Sequence, residues 1–203
     1  LLALRARDQS GIGQYVDTSM LDGAVSWLPI AASDYFMTGE PPKPGSAMLL
    51  GRNACYEVYE TKDGRFISIG AVEPHLWANF CEKIQKPEYI EWQRVVEKQP
   101  EMFQTLRALF KTKTQVEWCE FLKDVDCCWA PVLQLDEVFQ NPQIQARDMI
   151  FEMNDPQGQY GAVRQIGSAV KLSETPARRE LFPPRKGEHT EQILQELGYT
   201  QKQ

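Results

Sequence analysis

Cys55-Tyr56-Glu57-Val58-Tyr59-Glu60-Thr61-Lys62-Asp63-Gly64-Arg65-Phe66-Ile67-Ser68-Ile69-Gly70-Ala71-Val72-Glu73-Pro74 is the stretch on which the fold turns. Alternating runs at 56–60 and 65–69 flank Thr61-Lys62-Asp63-Gly64, and an Asp-Gly pair between such runs is a strong hairpin signal. Pro74 suits the first turn of a helix, where its missing N–H would have no intrahelical partner. That helix should bury Leu76, Trp77, Phe80, Cys81 and Ile84. A strand pair feeding a helix makes the region mixed α/β.

Downstream, helical periodicity predicts helices near 88–98, 101–111 and 114–123. The last opens with a capping box, Thr114 and Glu117, and should bury Trp118, Phe121 and Leu122. Residues 127–133 read as a buried strand, and 135–139 as a short helix ended by Asn141-Pro142. A second hairpin, 149–153 and 162–166, surrounds Asp155-Pro156-Gln157-Gly158. A proline-rich return (Pro176, Pro183, Pro184) leads to a helix at 190–197, stopped by Gly198.

Upstream, Gly39-Glu40-Pro41-Pro42-Lys43-Pro44-Gly45-Ser46 reads as a stiff linker and domain boundary. Before it, Met20, Leu21, Ala24, Trp27, Leu28, Ala31 and Tyr35 recur at helical spacing, with Thr18 or Ser19 to cap and Pro29 to break the helix. This arm is apolar on both faces, so it should be covered by further chain or by a partner. Residues 1–7 have helix-forming composition closing near Gly11. They lack an initiator Met and read as the end of a helix, so the chain is expected to be a fragment.

Composition narrows the function. The 203 residues are 42% hydrophobic and 10% aromatic, a globular rather than a disordered balance. A membrane span needs about 20 apolar residues in a row, and 20–37 is interrupted by Asp22, Pro29 and Asp34. Net charge is −6, without a basic cluster longer than Arg178-Arg179, so neither nucleic acid nor membrane is an expected partner. The five cysteines, Cys55, Cys81, Cys119, Cys127 and Cys128, include no CxxC pair. They read as reduced, partly buried thiols of a cytoplasmic protein, and no metal site is expected.

The chemical inventory is short. GxSxG, P-loop, HExxH and GxGxxG are absent. Glu73 stands where an apolar strand meets a helix. It can act as a plain helix-start carboxylate accepting first-turn N–H groups, or as a rigid carboxylate orienting another side chain such as an imidazole. The loop Met48-Leu49-Leu50-Gly51-Arg52-Asn53-Ala54 is either a surface connection or a substrate loop. Gly51 allows close backbone approach, Arg52 can meet an anion, and Met48 offers an adaptable apolar contact. His75 and His189 read as helix-start residues rather than bases.

The segments Gly13-Gln14-Tyr15-Val16-Asp17-Thr18-Ser19-Met20-Leu21-Asp22-Gly23, 55–66 and Gly70-Ala71-Val72-Glu73-Pro74 resemble those of the family III CoA-transferases (CaiB/BaiF type), including their relative α-methylacyl-CoA racemase. Val116-Glu117-Trp118, Ala130-Pro131-Val132, Asp136-Glu137-Val138 and Gly187-Glu188-His189-Thr190 extend the resemblance in the same order over nearly the whole chain. It implies an α/β fold: a helical arm and C-terminal return belonging to a Rossmann-like large domain (1–45 and 176–203), around a smaller mixed α/β domain (46–175). It also implies an interlocked homodimer acting on an acyl-CoA thioester, with coenzyme A part of the substrate and no separate cofactor.

Two activities follow from the resemblance: racemisation of 2-methylacyl-CoA by α-proton removal and return, or CoA transfer between carboxylic acids. A non-catalytic fragment or assembly module is the remaining alternative. The racemase's catalytic His and Asp, and the transferase's nucleophilic Asp, fall before Leu1 in this comparison, so the chain alone is expected to be inactive. Glu73 matches the racemase Glu that partners the catalytic His. The substrate-binding candidates are Met48, which matches an apolar acyl-surface position, with Gly51, Arg52 and Asn53. Leu50-Gly51-Arg52-Asn53 departs from the glycine-rich pattern of this loop in both groups.

Overall fold

The computed structural model describes residues 1–45, 51–156, 158–178 and 181–200. The chain divides into two compact units, Leu1–Val132 and Leu133–Gln203. The first begins with α1 (Leu2–Ser10), ended at Gly11 with Arg7 in its last turn. Next comes α2 (Met20–Val25), where the Ser19 side chain accepts from Asp22 N. The expected break falls at Pro29, which occupies the first turn of α3 (Pro29–Thr38). None of these helices contains a buried residue, and Met20, Trp27, Phe36 and Met37 are all at least 80% exposed. The apolar arm is helical with a break where periodicity and Pro29 place them, and its large apolar side chains are exposed among the described residues.

The predicted hairpin is β1 (Tyr56–Glu60) and β2 (Phe66–Gly70), joined with Tyr56 opposite Gly70 and Tyr59 opposite Ile67. Its turn contains Gly64 at φ 74°, a left-handed backbone that a side chain would strain. A third antiparallel strand, β3 (Trp129–Pro131), pairs with β2. Because side chains alternate between faces, Tyr59, Ile67 and Ile69 point into the core while Tyr56, Val58 and Phe66 are exposed on the other side. The buried face packs on α4 (Pro74–Lys83), α5 (Gln99–Phe110) and α6 (Gln115–Leu122), which bury Trp77, Phe80, Met102, Leu106, Phe110 and Trp118. Tyr59 stacks on Phe110 at 4.6 Å between centroids, and Phe110 meets Trp118 at 4.6 Å. Both buried indoles are satisfied: Trp77 donates to Tyr89 O at 2.7 Å and Trp118 to Phe110 O at 2.8 Å. The Thr114–Glu117 capping box forms as expected.

Two expectations need correction and a third is extended. Residues 88–98 are not a helix but turns, with short 3-10 segments at Pro87–Tyr89 and Val96–Lys98. Side chains take the carbonyls an α-helix would use: the Trp77 indole holds Tyr89 O, and Gln99 donates to Trp92, Gln93 and Val95 O. The strand expected over 127–133 shrinks to β3. Cys128 has φ 50°, which breaks extended backbone on one side, and on the other a single further bond, Val132 N to Phe66 O at 3.0 Å, closes the pairing with β2; the strand is half-buried rather than buried. Asn141-Pro142 ends α7 (Leu135–Gln140) but also starts α8 (Pro142–Ala146), because the Asn141 side chain accepts from Gln143 N and Ile144 N.

The second unit holds α7 and α8, the predicted hairpin β4 (Ile150–Asn154) and β5 (Ala162–Ile166), and α9 (Thr190–Glu196). Asp155 caps the hairpin turn by accepting from Gln159 N and Tyr160 N. Among the described residues, no helix is long and apolar enough to cross a membrane.

Candidate functional site

Glu73 follows β2 and occupies the cap position of α4. The capping reading is corrected here: its carboxylate makes no bond to the first-turn N–H groups. Pro74 removes one of those donors, and Glu is a methylene longer than Asp or Asn and longer still than Ser or Thr, the side chains that fold back efficiently onto them. Glu73 is exposed. Its backbone is firmly held, because the buried Gln93 donates to Ala71 O at 3.0 Å and Val72 O at 2.9 Å, the two carbonyls just before it.

The loop ahead of the hairpin is locked to the same place. Ala71 N donates to Cys55 O at 2.9 Å, Ala54 N to Gln99 Oε1 at 2.9 Å, and the Tyr59 hydroxyl to Ala54 O at 2.7 Å. Residues 53–55 are therefore buried with Asn53 O, both backbone groups of Ala54 and Cys55 O hydrogen-bonded, unlike an ordinary surface connection. Of the proposed loop residues, Gly51 is half-buried at φ 87°, Arg52 is exposed and Asn53 is buried. Met48 lies outside the described residues. The structure thus brings the 51–55 loop beside the 70–73 strand exit. His75 is exposed on α4, and His189 stands at the α9 cap position without a capping bond.

On the uncovered side of the sheet lies an open cleft of about 750 Å³, lined by Gly51, Tyr56, Val58, Gly70, Cys128 and Trp129 among others. Gly70 keeps its floor low: a Cβ there would meet Cys128 O and Sγ at 3.4 Å. Gly70 N donates to Cys128 O at 2.7 Å, so the strand exit and the exposed Cys128 are one rigid piece. The other thiols are unsuited to nucleophilic work. Burial pushes Cys55 upward, Cys81 to about 12 and Cys127 to about 11. Among the described residues, no group of three or more His, Cys, Asp or Glu could hold a metal ion.

Gln93 and Gln99 are the site-building residues that sequence reading missed. The signal present was indirect: glutamines in a stretch whose helical pattern the prolines at 87 and 100 interrupt. Arranged in this way, the site offers an open apolar sheet face, a glycine-bearing loop beside it, and a carboxylate on an immobilised backbone.

The first unit thus presents an open cleft on the uncovered sheet face and an exposed carboxylate at the start of α4. Residues 1–190 match the model of CoA-transferase family III, and the chain belongs to that family. It is 30% identical to α-methylacyl-CoA racemase of Mus musculus over 208 residues, 100% of this chain and 52% of the racemase. It is 27% identical to succinyl-CoA:glutarate CoA-transferase of Mus musculus, over 97% of this chain and 46% of the transferase. The fold matches the crystal structure of a CAIB/BAIF family protein from Brucella suis, with TM-score 0.69 and 23% identity, over 96% of this chain and 50% of that one. The chain spans about half the length of the curated relatives it matches.

Proposed function

We propose that this chain contributes one wall of an acyl-CoA site that racemises 2-methylacyl-CoA thioesters. A base takes the α-proton, the C–H electron pair moves toward the thioester carbonyl to form the enolate, and an acid returns a proton on the opposite face. Glu73 serves as the carboxylate that orients and charges an imidazole base supplied from outside this chain. The loop residues Gly51, Arg52 and Asn53, with Met48, are the substrate-binding candidates for the acyl-CoA, whose coenzyme A is substrate rather than cofactor. On this reading, 1–45 and 176–203 join a Rossmann-like large domain, 46–175 is the smaller domain, and the working enzyme is an interlocked homodimer. The apolar arm, uncovered in this chain, supports that assembly.

The observation that carries the racemase reading is Glu73 itself: exposed, free of capping duty, and set on backbone that Gln93 holds at two successive carbonyls. A second reading, CoA transfer between carboxylic acids, is supported by the 27% identity to succinyl-CoA:glutarate CoA-transferase over 97% of the chain. The test is deuterium incorporation at the α-carbon of 2-methylacyl-CoA thioesters in D₂O, followed by NMR with the full gene product. Exchange should occur, and Glu73→Gln should slow it roughly ten- to a thousand-fold while the fold is retained. CoA transfer from succinyl-CoA to a free carboxylate without α-exchange would establish the second reading. Exchange undiminished in Glu73→Gln would remove Glu73 from the chemistry.

A further inference from the structure

Gln93 lies on the turn-rich segment between α4 and α5, 7% exposed, and belongs to neither the loop nor the strand exit. Its amide nitrogen has two hydrogens, and both are directed at one short piece of chain: Ala71 O at 3.0 Å and Val72 O at 2.9 Å. Ala71 N donates to the Cys55 carbonyl, on the neighbouring loop. Gln93 is held in turn, since Gln99 Nε2 donates to its carbonyl at 3.2 Å while Gln99 Oε1 accepts Ala54 N. Two buried amides in series therefore tie together the 53–55 loop and the residues immediately before Glu73.

For a carboxylate that itself has no bond to its helix, backbone placement sets where the charge sits. Its aim depends on the φ and ψ of Val72 and Glu73, and Gln93 is the side chain that fixes the peptide groups on either side of Val72. We propose that Gln93 is a positioning residue for the reaction, aiming the Glu73 carboxylate at its cationic partner; this rests on the role of Glu73 put forward above. Placement to within a fraction of an ångström is what such supporting contacts provide, and their loss commonly lowers activity by about ten- to a hundred-fold.

The experiment uses the full gene product carrying Gln93→Met, which keeps the volume and removes both donors. Gln115→Met serves as a matched control, because Gln115 is equally buried but donates to Phe66 O and Val132 O, away from Glu73. α-Proton exchange of 2-methylacyl-CoA is measured across pH, with unfolding followed on the same samples. Gln93→Met should lower kcat by about ten- to a hundred-fold with KM changed less than about twofold. A misaimed carboxylate supports the imidazolium less well, so the acidic limb of kcat/KM should move to lower pH, in the same direction as in Glu73→Gln. Gln115→Met should keep the wild-type limb and kcat.

A Gln93→Met enzyme with wild-type kcat and limb, beside an impaired Glu73→Gln, overturns the proposal alone. A wild-type Glu73→Gln overturns the role of Glu73 instead. A lowered kcat with an unmoved limb, matched by Gln115→Met, reduces Gln93 to a structural residue. Should Gln93→Met fail to fold, Gln93→Asn, too short to reach both carbonyls, is read by the same limb shift and overturned by the same unmoved limb.

Discussion

Replacing Gln99 or Gln115 by methionine deletes the same chemistry from two buried sites, yet the costs should differ severalfold. At Gln99 the side chain touches Ala54 N, Trp92 O, Gln93 O and Val95 O. Trp92 O keeps a bond from Val95 N, and Val95 O one from Lys98 N, so neither is abandoned. Ala54 N and Gln93 O have no second partner among the described residues, and Ala54 is 0% and Gln93 7% exposed. Two orphaned buried groups at about 1–3 kcal/mol each, offset by methionine's gain in apolar burial, give a loss of about 3 kcal/mol. At Gln115 the acceptors are Phe66 O, which retains Val132 N, and Val132 O, whose residue is 43% exposed and within reach of water. That substitution should cost about 1 kcal/mol.

The assay is urea unfolding followed by tryptophan fluorescence. All five tryptophans lie in the Leu1–Val132 unit, so the signal reports that unit. With a slope of about 2 kcal/mol/M, Gln99→Met should lower the midpoint by about 1.5 M and Gln115→Met by about 0.5 M. Equal shifts, or a larger one for Gln115→Met, would refute the premise that the second partners of the stranded groups decide the cost.

Acid should loosen the start of α6. Thr61 and the Gln115 N–H hold Asp63 below the usual carboxylate range, and Thr114 holds Glu117 below it. Carboxylates depressed in the folded state stabilise it above their unfolded values near 4 and lose that contribution as pH falls through the folded ones. The unfolding midpoint should thus be level from neutral pH to about 5 and drop below about 4, less steeply in Asp63→Asn; an unchanged slope in the variant would assign the drop elsewhere. Alkylation should distinguish the cysteines by exposure. Iodoacetamide at pH 8 should label exposed Cys128 first and leave Cys55, Cys81 and Cys127 until unfolding, as peptide mapping would show; early labelling of Cys81 would contradict its burial.

The hairpin, α4 and α6 were legible in advance because each carries its own local chemistry: Asp63-Gly64, Pro74 at a first turn, Thr114 with Glu117 three residues on. The break at Pro29 is of the same kind. The 88–98 region was misread because its apolar residues, Tyr89, Ile90 and Trp92, recur at a spacing that also suits a helix. What overrides the pattern is tertiary: an indole from α4 and an amide from α5 occupy carbonyls that a helix would need. Cys128 is similar, since nothing in Asp126-Cys127-Cys128-Trp129 announces a left-handed backbone at its third residue.

The glutamines follow a logic that composition hides. A connection that must be buried, such as 53–55 or 71–72, brings backbone N–H and C=O groups that no ladder can satisfy. Serine and asparagine reach only their immediate neighbours, whereas lysine, arginine or glutamate would carry charge into the core. Glutamine is long, neutral, and has one acceptor and two donor hydrogens, so a single side chain can serve several carbonyls and an N–H together. Gln99 serves an N–H and three carbonyls, and Gln93 and Gln115 two carbonyls each, at three places where strand or loop backbone meets a helix. Sequence polarity alone assigns such residues to the surface. Their burial becomes legible only when the irregular segments beside them are known to lie inside, and that same requirement places two side-chain-held carbonyls directly before Glu73.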